Sequence, residues 1–204
     1  MKVAIVGGTG AFGRALAKRL AELGEDEVIV GSRDADRARS TAQELGVAGG
    51  LNQAVVGDAD IVVLAVKSTA TLETAAELAD AIGTTPVLCV ASDLRFTDAG
   101  VLPGRHQGSL AEEVARIVRA PVASGLQSFA AANVIVGDPG DALICGESSE
   151  AKERALELAE RLGARAIDVG PLANSRALEG MTSVILNVNK RYKAHAGIRV
   201  TGLP

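Results

Sequence analysis

The stretch KVAIVGGTGAFGRALAKRLAELG, residues 2–24, decides how the rest of the chain is read. A short aliphatic run ends in glycines. Leu and Ala then recur at helical spacing as far as Gly24, a residue suited to a helix C-cap. Between the two lies GTGAFG, residues 8–13, a GxGxxG pattern placed after a strand and opening a helix. In that setting Gly8 permits the tight turn, Gly10 lets the backbone approach a pyrophosphate, and Gly13 lets helix and strand pack closely. The first N–H groups of the helix, with its dipole, then face an anion. A glycine turn with no ligand is the competing explanation, and the strand-helix frame weighs against it.

Downstream the same alternation continues. EVIVGSR (27–33) reads as a strand, and DADRARSTAQELG (34–46) as a polar helix opened by Asp34 and closed by Gly46. DIVVLAV (60–66), a helix over 68–83 and PVLCVAS (86–92) follow. Residues 93–108 mix Gly, Pro and both charge signs and read as a long loop, a place where function collects. A helix over 109–119 opens with Ser109 and Glu112 in a capping-box pattern, and a strand at 121–129 runs into a second irregular segment. Residues 142–170 form a β-α-β unit, and one long helix spans roughly 172–194. The order predicts an α/β, Rossmann-type doubly wound, mostly parallel sheet, with a smaller C-terminal α/β part. The expected boundary separates a nucleotide-binding part at 1–120 from a second part at 121–204. Ligands of such sheets bind beyond the carboxyl ends of the strands. Loops 7–13, 31–37, 66–70, 90–108 and 124–133 are therefore expected along one edge.

Composition agrees and excludes other classes. The chain has 204 residues, 48% hydrophobic but only 2% aromatic, so its core must be aliphatic. A net charge of -4 and the scarcity of stacking aromatics weigh against nucleic-acid binding. No apolar run reaches membrane-spanning length and no signal peptide is evident, so a soluble, cytoplasmic protein is expected. Cys89 and Cys145 lie in apolar runs and read as buried, reduced thiols. With two His and two Cys at unrelated spacings, no metal site is expected.

The tip of the second strand carries the most specific chemistry. An acidic residue about 20 residues beyond the glycines would bind the adenosine ribose of NAD. This chain has Ser32 and Arg33 there, and Arg37 one helical turn later. A carboxylate would repel a 2′-phosphate, whereas a hydroxyl and planar guanidinium groups bind one. The expected cofactor is NADP.

With GGTGAFG, GSRDADR and GPLANSRALEGMTSVILN in view, the chain resembles the NADP-dependent oxidoreductases of the deazaflavin coenzyme F420, nearly end to end. The resemblance implies reversible hydride transfer between the nicotinamide and the deazaflavin. It also implies a C-terminal half that forms the deazaflavin pocket and a homodimer interface. By the same resemblance Gly8, Thr9, Gly10, Ala11, Phe12 and Gly13 hold the pyrophosphate, and Ser32, Arg33 and Arg37 the 2′-phosphate. Val66, Lys67, Ala91, Ser92, Gln127, Ser128 and Phe129 lie nearer the redox rings, with Val90 and Leu126 beside them. The pattern departs from the family at Lys67 and Ala130, where Pro is usual, and at Gln127, where His is usual.

Two flat redox partners need little acid-base apparatus, and small residues such as Ala91, Ser124, Gly125 and Ala131 suit close stacking. No catalytic side chain is assigned. Lys67 is a candidate proton donor if the second substrate is instead a small carbonyl, imine or pterin-like molecule. Otherwise it is a solvated or phosphate-facing lysine. Asn187 and Lys190 match a placement seen in hydroxyacid dehydrogenases, against a simpler reading as the charged end of a helix. Asp93 and Arg95 are candidates for polar substrate contacts, while His106 and His195 read as surface residues. A non-catalytic NADP-binding sensor is the remaining alternative.

Overall fold

A computed structural model describes residues 1–104 and 108–203. Ten strands and eight α-helices alternate among them. The strands are β1 (Lys2–Val6), β2 (Glu27–Ser32), β3 (Ala48–Leu51), β4 (Ile61–Leu64), β5 (Val87–Cys89), β6 (Leu94–Thr97), β7 (Gly100–Pro103), β8 (Val122–Ser124), β9 (Asp141–Gly146) and β10 (Arg165–Asp168). The helices are α1 (Ala11–Leu23), α2 (Ala35–Leu45), α3 (Asn52–Val55), α4 (Ser68–Ile82), α5 (Leu110–Ile117), α6 (Ala131–Val136), α7 (Ser149–Arg161) and α8 (Ser175–Tyr192), the last preceded by a 3-10 turn at Leu172–Asn174.

Eight strands form one sheet in the order β3-β2-β1-β4-β5-β8-β9-β10. Every pairing in it is parallel except β8 with β9, which is antiparallel. The strand order reverses between β1 and β4, which opens a crevice at their carboxyl ends. Both sheet faces are covered, as the unbroken aliphatic strands demand. Val3, Ile5, Ile61 and Val63 point toward α1 and α7, packing with Leu16, Leu20, Ala155 and Leu158. Their neighbours Ala4, Val6, Val62 and Leu64 point the other way, toward Leu78 and Ile82 of α4 and Leu110 and Val114 of α5.

Local signals are realised where they act on adjacent residues. Gly24 and Gly46 end their helices in the left-handed conformation, with φ near 70°. Asp34 caps α2 by accepting from the N–H groups of Asp36 and Arg37. Ser109 Oγ accepts from Glu112 N, and the Ser109 backbone N–H donates to the Glu112 carboxylate, completing the expected capping box.

Two expectations require correction. The long loop expected at 93–108 contains a β-hairpin, β6-β7, closed by a bond from Thr97 Oγ1 to the Gly100 carbonyl. The hairpin is held by α8: the Asn187 side chain accepts from Val101 N and donates to Val101 O and Ser183 O. Asn187 therefore clamps the hairpin to α8, whose last turn carries Lys190 and Arg191. The second irregular segment likewise contains α6. The segment between α2 and β4, which carries no clear sequence signal, holds β3 and α3. There Gly49 lets α2 lie directly on the sheet, since a Cβ at that position would sit 2.6 Å from Ala42 Cβ.

Candidate active site

The glycine turn is built differently from its expected division of labour. The residue with positive φ is Gly7, at 79°, and not Gly8. A Cβ on Gly8 would meet Ile5 O at 2.9 Å and Val30 Cγ1 at 3.0 Å, so Gly8 is required for packing against β1 and β2. A Cβ on Gly13 would lie 2.7 Å from Gly7 O and 2.8 Å from Gly8 Cα, so Gly13 lets α1 approach the turn. The turn is pinned by Gly8 N donating to Ile5 O and Gly31 O, and by Gly10 N donating to Gly7 O. Gly10 is the N-cap of α1 and supplies no side-chain acceptor, which leaves the first-turn N–H groups for an anion. Lys67 at the N-cap of α4 provides no side-chain cap either. By contrast α2, α5 and α7 are capped by Asp34, Ser109 and Ser148.

Two clefts open along this edge. The first, about 450 Å³, brings together Gly7, Thr9 and Gly10 with Ser32, Arg33, Asp34 and Arg37, and faces Val66, Lys67 and Thr74. Arg14 and Arg39 are paired with Glu44 and Asp36. Among the described residues, neither Arg33 nor Arg37 has an ion-pair partner, and both are exposed at the cleft. Ser32 is buried and its Oγ accepts from Asp34 N, which holds the hydroxyl at the tip of β2. Asp34 lines the same cleft, with one carboxylate oxygen engaged by the N–H groups that it caps.

The second cleft, about 280 Å³, is shallow and open on one side. Its walls include Phe12, Val90, Ala91, Ser92, Leu126, Gln127 and Phe129, together with Ser68, Leu94 and Thr182. It meets the first cleft at Ala65 and Val66, which line both. Leu126 adopts φ 66°, a left-handed conformation unusual for a branched residue, within a fully buried turn. The bend tucks Gln127 beneath β5, where its Nε2 donates to Cys89 O and Ser124 Oγ. Gln127 Oε1 is enclosed and unpartnered among the described residues. Ser92 and Thr182 share a 2.8 Å hydroxyl contact, and Thr182 Oγ1 donates to Gln127 O, which ties α8 to this cleft.

Some sequence candidates fall elsewhere. Ser128 turns away from the cleft, its Oγ donating to Asp141 O. Ala11 sits exposed at the start of α1, while Gly8 and Gly13 are packed beneath the turn. Lys67 lines the first cleft with the arginines and is not among the walls of the second. Asp93 folds against Gly104, whose N–H donates to its carbonyl, and Arg95 is exposed on the hairpin. His195 is exposed, and His106 lies outside the described residues. Asn52, Ala65, Ala70 and Thr74 of the first cleft were missed, as were Ser68, Leu94 and Thr182 of the second. Ser68 and Ala70 directly follow the fourth strand and were findable from position. Asn52 lies in a stretch without periodicity, and Thr182 is 55 positions from Gln127 and 90 from Ser92.

Ionisation is quiet at the clefts and unusual behind them. Burial pushes the Cys89 and Cys145 thiols up to about 12, so both stay protonated at neutral pH. Burial also raises the Glu179 carboxyl to about 7, against N–H donors from Ala111, Asp93 and Leu110 that favour its ionised form. Glu179 thereby ties α8 to the start of α5 and to the segment after β5. Nearby, the Arg176 guanidinium holds the Glu112 carboxyl below its usual range through two bonds of 2.7 and 2.6 Å. Among the described residues, no cluster of His, Cys, Asp or Glu has the makings of a metal site.

A family model described as "NADP oxidoreductase coenzyme F420-dependent" matches residues 2–91. An F420-dependent NADP reductase of Methanothermobacter thermautotrophicus is 36% identical, over 100% of this chain and 96% of its own length. One from Methanocaldococcus jannaschii is 33% identical, over 100% of this chain and 99% of its own length. In fold, the chain is similar to a solved structure from Arthrobacter sp. FB24 described as an F420-dependent NADP reductase. The TM-score is 0.84 at 24% identity, covering 99% of this chain and 100% of the other.

Proposed function

Because the chain belongs to the family of coenzyme F420-dependent NADP oxidoreductases, we infer that it is the enzyme that moves a hydride between NADP(H) and coenzyme F420. One observation carries the assignment of sites. A cleft with two arginines that pair with no acid among the described residues meets an apolar cleft at Ala65 and Val66. The two coenzymes supply the reacting carbons, C4 of the nicotinamide and C5 of the deazaflavin. The chain supplies placement, since a hydride passes only between atoms held about 3–3.5 Å apart.

In this reading the glycine turn and the open first turn of α1 hold the pyrophosphate, with Thr9 beside it. Ser32, Arg33 and Arg37 hold the 2′-phosphate through charge-assisted hydrogen bonds. Lys67 adds positive charge along the same groove, and hydride transfer between two coenzymes asks no proton transfer of it. Small side chains at Ala65 and Ala91 let flat rings approach, Phe12 and Phe129 flank them, and Gln127, locked on Cys89 O and Ser124 Oγ, closes the floor beneath. Residues 1–120 thus bind the nucleotide, and residues 121–204 complete the second cleft. Val184 and Tyr192, 60% and 70% exposed along α8, support a homodimer through that face, to be checked by sedimentation. No helix among the described residues is long and apolar enough to cross a membrane, and a cytoplasmic location is part of the same proposal.

The direct test mixes the protein with NADPH and oxidised F420. The deazaflavin's visible absorption should bleach with turnover, and a constant spectrum would reject the assignment.

A further inference from the structure

Asn52, the first residue of α3, is 7% exposed, and its Oδ1 has no hydrogen-bond partner among the described residues. A buried amide normally finds partners; here Oδ1 lies against Gly31 while Asn52 lines two adjoining clefts, so a turn of the amide about its Cβ–Cγ bond brings the polar edge to a bound base. The fold makes room for it. A Cβ on Gly31 would lie 2.7 Å from Asn52 Oδ1, so the glycine before Ser32 lets this side chain lie against the end of β2.

Asn52 stands where the phosphate-binding cleft joins a further cleft of about 500 Å³. The two share Ser32 and Arg33. Beyond them the further cleft is walled by Leu51, Leu78, Gln53 and Glu77, with no additional cation among the described residues. Apolar walls and a carboxylate do not suit a phosphate. They suit a flat, neutral heterocycle attached to the ribose whose 2′-phosphate is on Arg33.

We propose that Asn52 reads the adenine base of the dinucleotide, pairing its amide with the exocyclic amine and an adjacent ring nitrogen. An amide presents one acceptor beside one donor in a plane, the complement of an adenine edge. This inference rests on the nucleotide assignment proposed above and adds a base-specificity residue to it. No bond is made or broken by Asn52. Its role is to position the adenosine and to select the base.

The test compares NADP with 1,N6-etheno-NADP, whose bridge removes both amine hydrogens and the N1 acceptor, by isothermal titration. Wild-type protein should bind NADP roughly tenfold or more tightly than the etheno analogue, as expected for losing an amide–base pair. Asn52→Ala should weaken NADP by that factor and leave the analogue within about twofold of its wild-type value. Asn52→Leu, which keeps the volume against Gly31, should behave alike and guards against a collapse of α3. The preference for NADP over NAD should survive in both variants.

Equal weakening of both ligands would mark Asn52 as structural and overturn the proposal. So would unchanged NADP binding with improved analogue binding, which would mean steric exclusion. Loss of the NADP preference would move Asn52 onto the phosphate and also overturn it. If wild-type protein prefers NADP to NAD but neither variant alters base discrimination, only this inference fails. If the wild type shows no such preference, the nucleotide assignment fails instead.

Discussion

Replacing Glu179 by Gln should remove the loss of stability that the wild-type protein suffers as the pH rises through about 7. Glu179 is 4% exposed, and burial raises its carboxyl from the ordinary 4.5 to about 7. The folded protein therefore keeps a proton that the unfolded chain has already released between those values. Unfolding in that window releases a proton, so raising the pH favours unfolding. The stabilising contribution is complete below pH 4.5 and is lost as the pH climbs through about 7. The 2.5-unit difference corresponds to about 3 kcal/mol at 1.36 kcal/mol per unit. Asp93, whose charge also raises Glu179, adds to the penalty as long as it is ionised. Gln stays neutral at every pH, but the N–H groups of Asp93 and Ala111 reach different carboxylate oxygens and its one carbonyl can accept from only one of them, so the variant starts below the wild type in acid. Thermal unfolding of both proteins from pH 4.5 to 8.5 should show the variant's melting temperature gaining on the wild type's by roughly 6–12 °C between acid and pH above 7, taking 2–4 °C per kcal/mol for a chain of this size. A difference that is independent of pH, or one that moves in the wild type's favour as the pH rises, would refute the reasoning.

Other outcomes follow from the same geometry. Arg33→Ala should weaken NADPH by roughly 10- to 100-fold, the value of a charge-assisted phosphate bond, with little change for NADH; titration of both nucleotides checks this. Gly13→Ala should abolish tight binding of either nucleotide, because the new Cβ would sit 2.7 Å from Gly7 O and push α1 off the turn. Lys67→Met should raise the KM for NADPH several-fold while kcat falls little; a collapse of kcat with unchanged nucleotide affinity would restore the proton-donor reading. Gln127→Leu should raise the KM for F420 without altering NADPH affinity, measured by separate titrations of the two coenzymes.

Much of this protein was legible because the signals are local. A parallel sheet buried on both faces needs uninterrupted aliphatic strands, and KVAIV, IVVL and VLC announce themselves. Helix caps act within three residues, so Asp34, Ser109, Gly24 and Gly46 could be placed without coordinates. The cationic tip of β2 was legible for the same reason, since Ser32, Arg33 and Arg37 are neighbours in sequence and stay neighbours in space.

What tertiary structure alone decided involves contacts between distant segments. AGGL has little strand propensity, and it pairs because β2 and α2 press on it from two sides. The β6-β7 hairpin exists because Asn187, 86 residues from Val101, clamps it. The second cleft takes residues from α1, from the start of α4, from the segments after β4, β5 and β8 and from α8, and Thr182 joins Ser92 across 90 positions. Which glycine bends and which one merely gives way was also decided in three dimensions. Spacing marks all three glycines of GTGAFG equally, but only the approach of β1, β2 and α1 assigns the bend to Gly7 and the close contacts to Gly8 and Gly13.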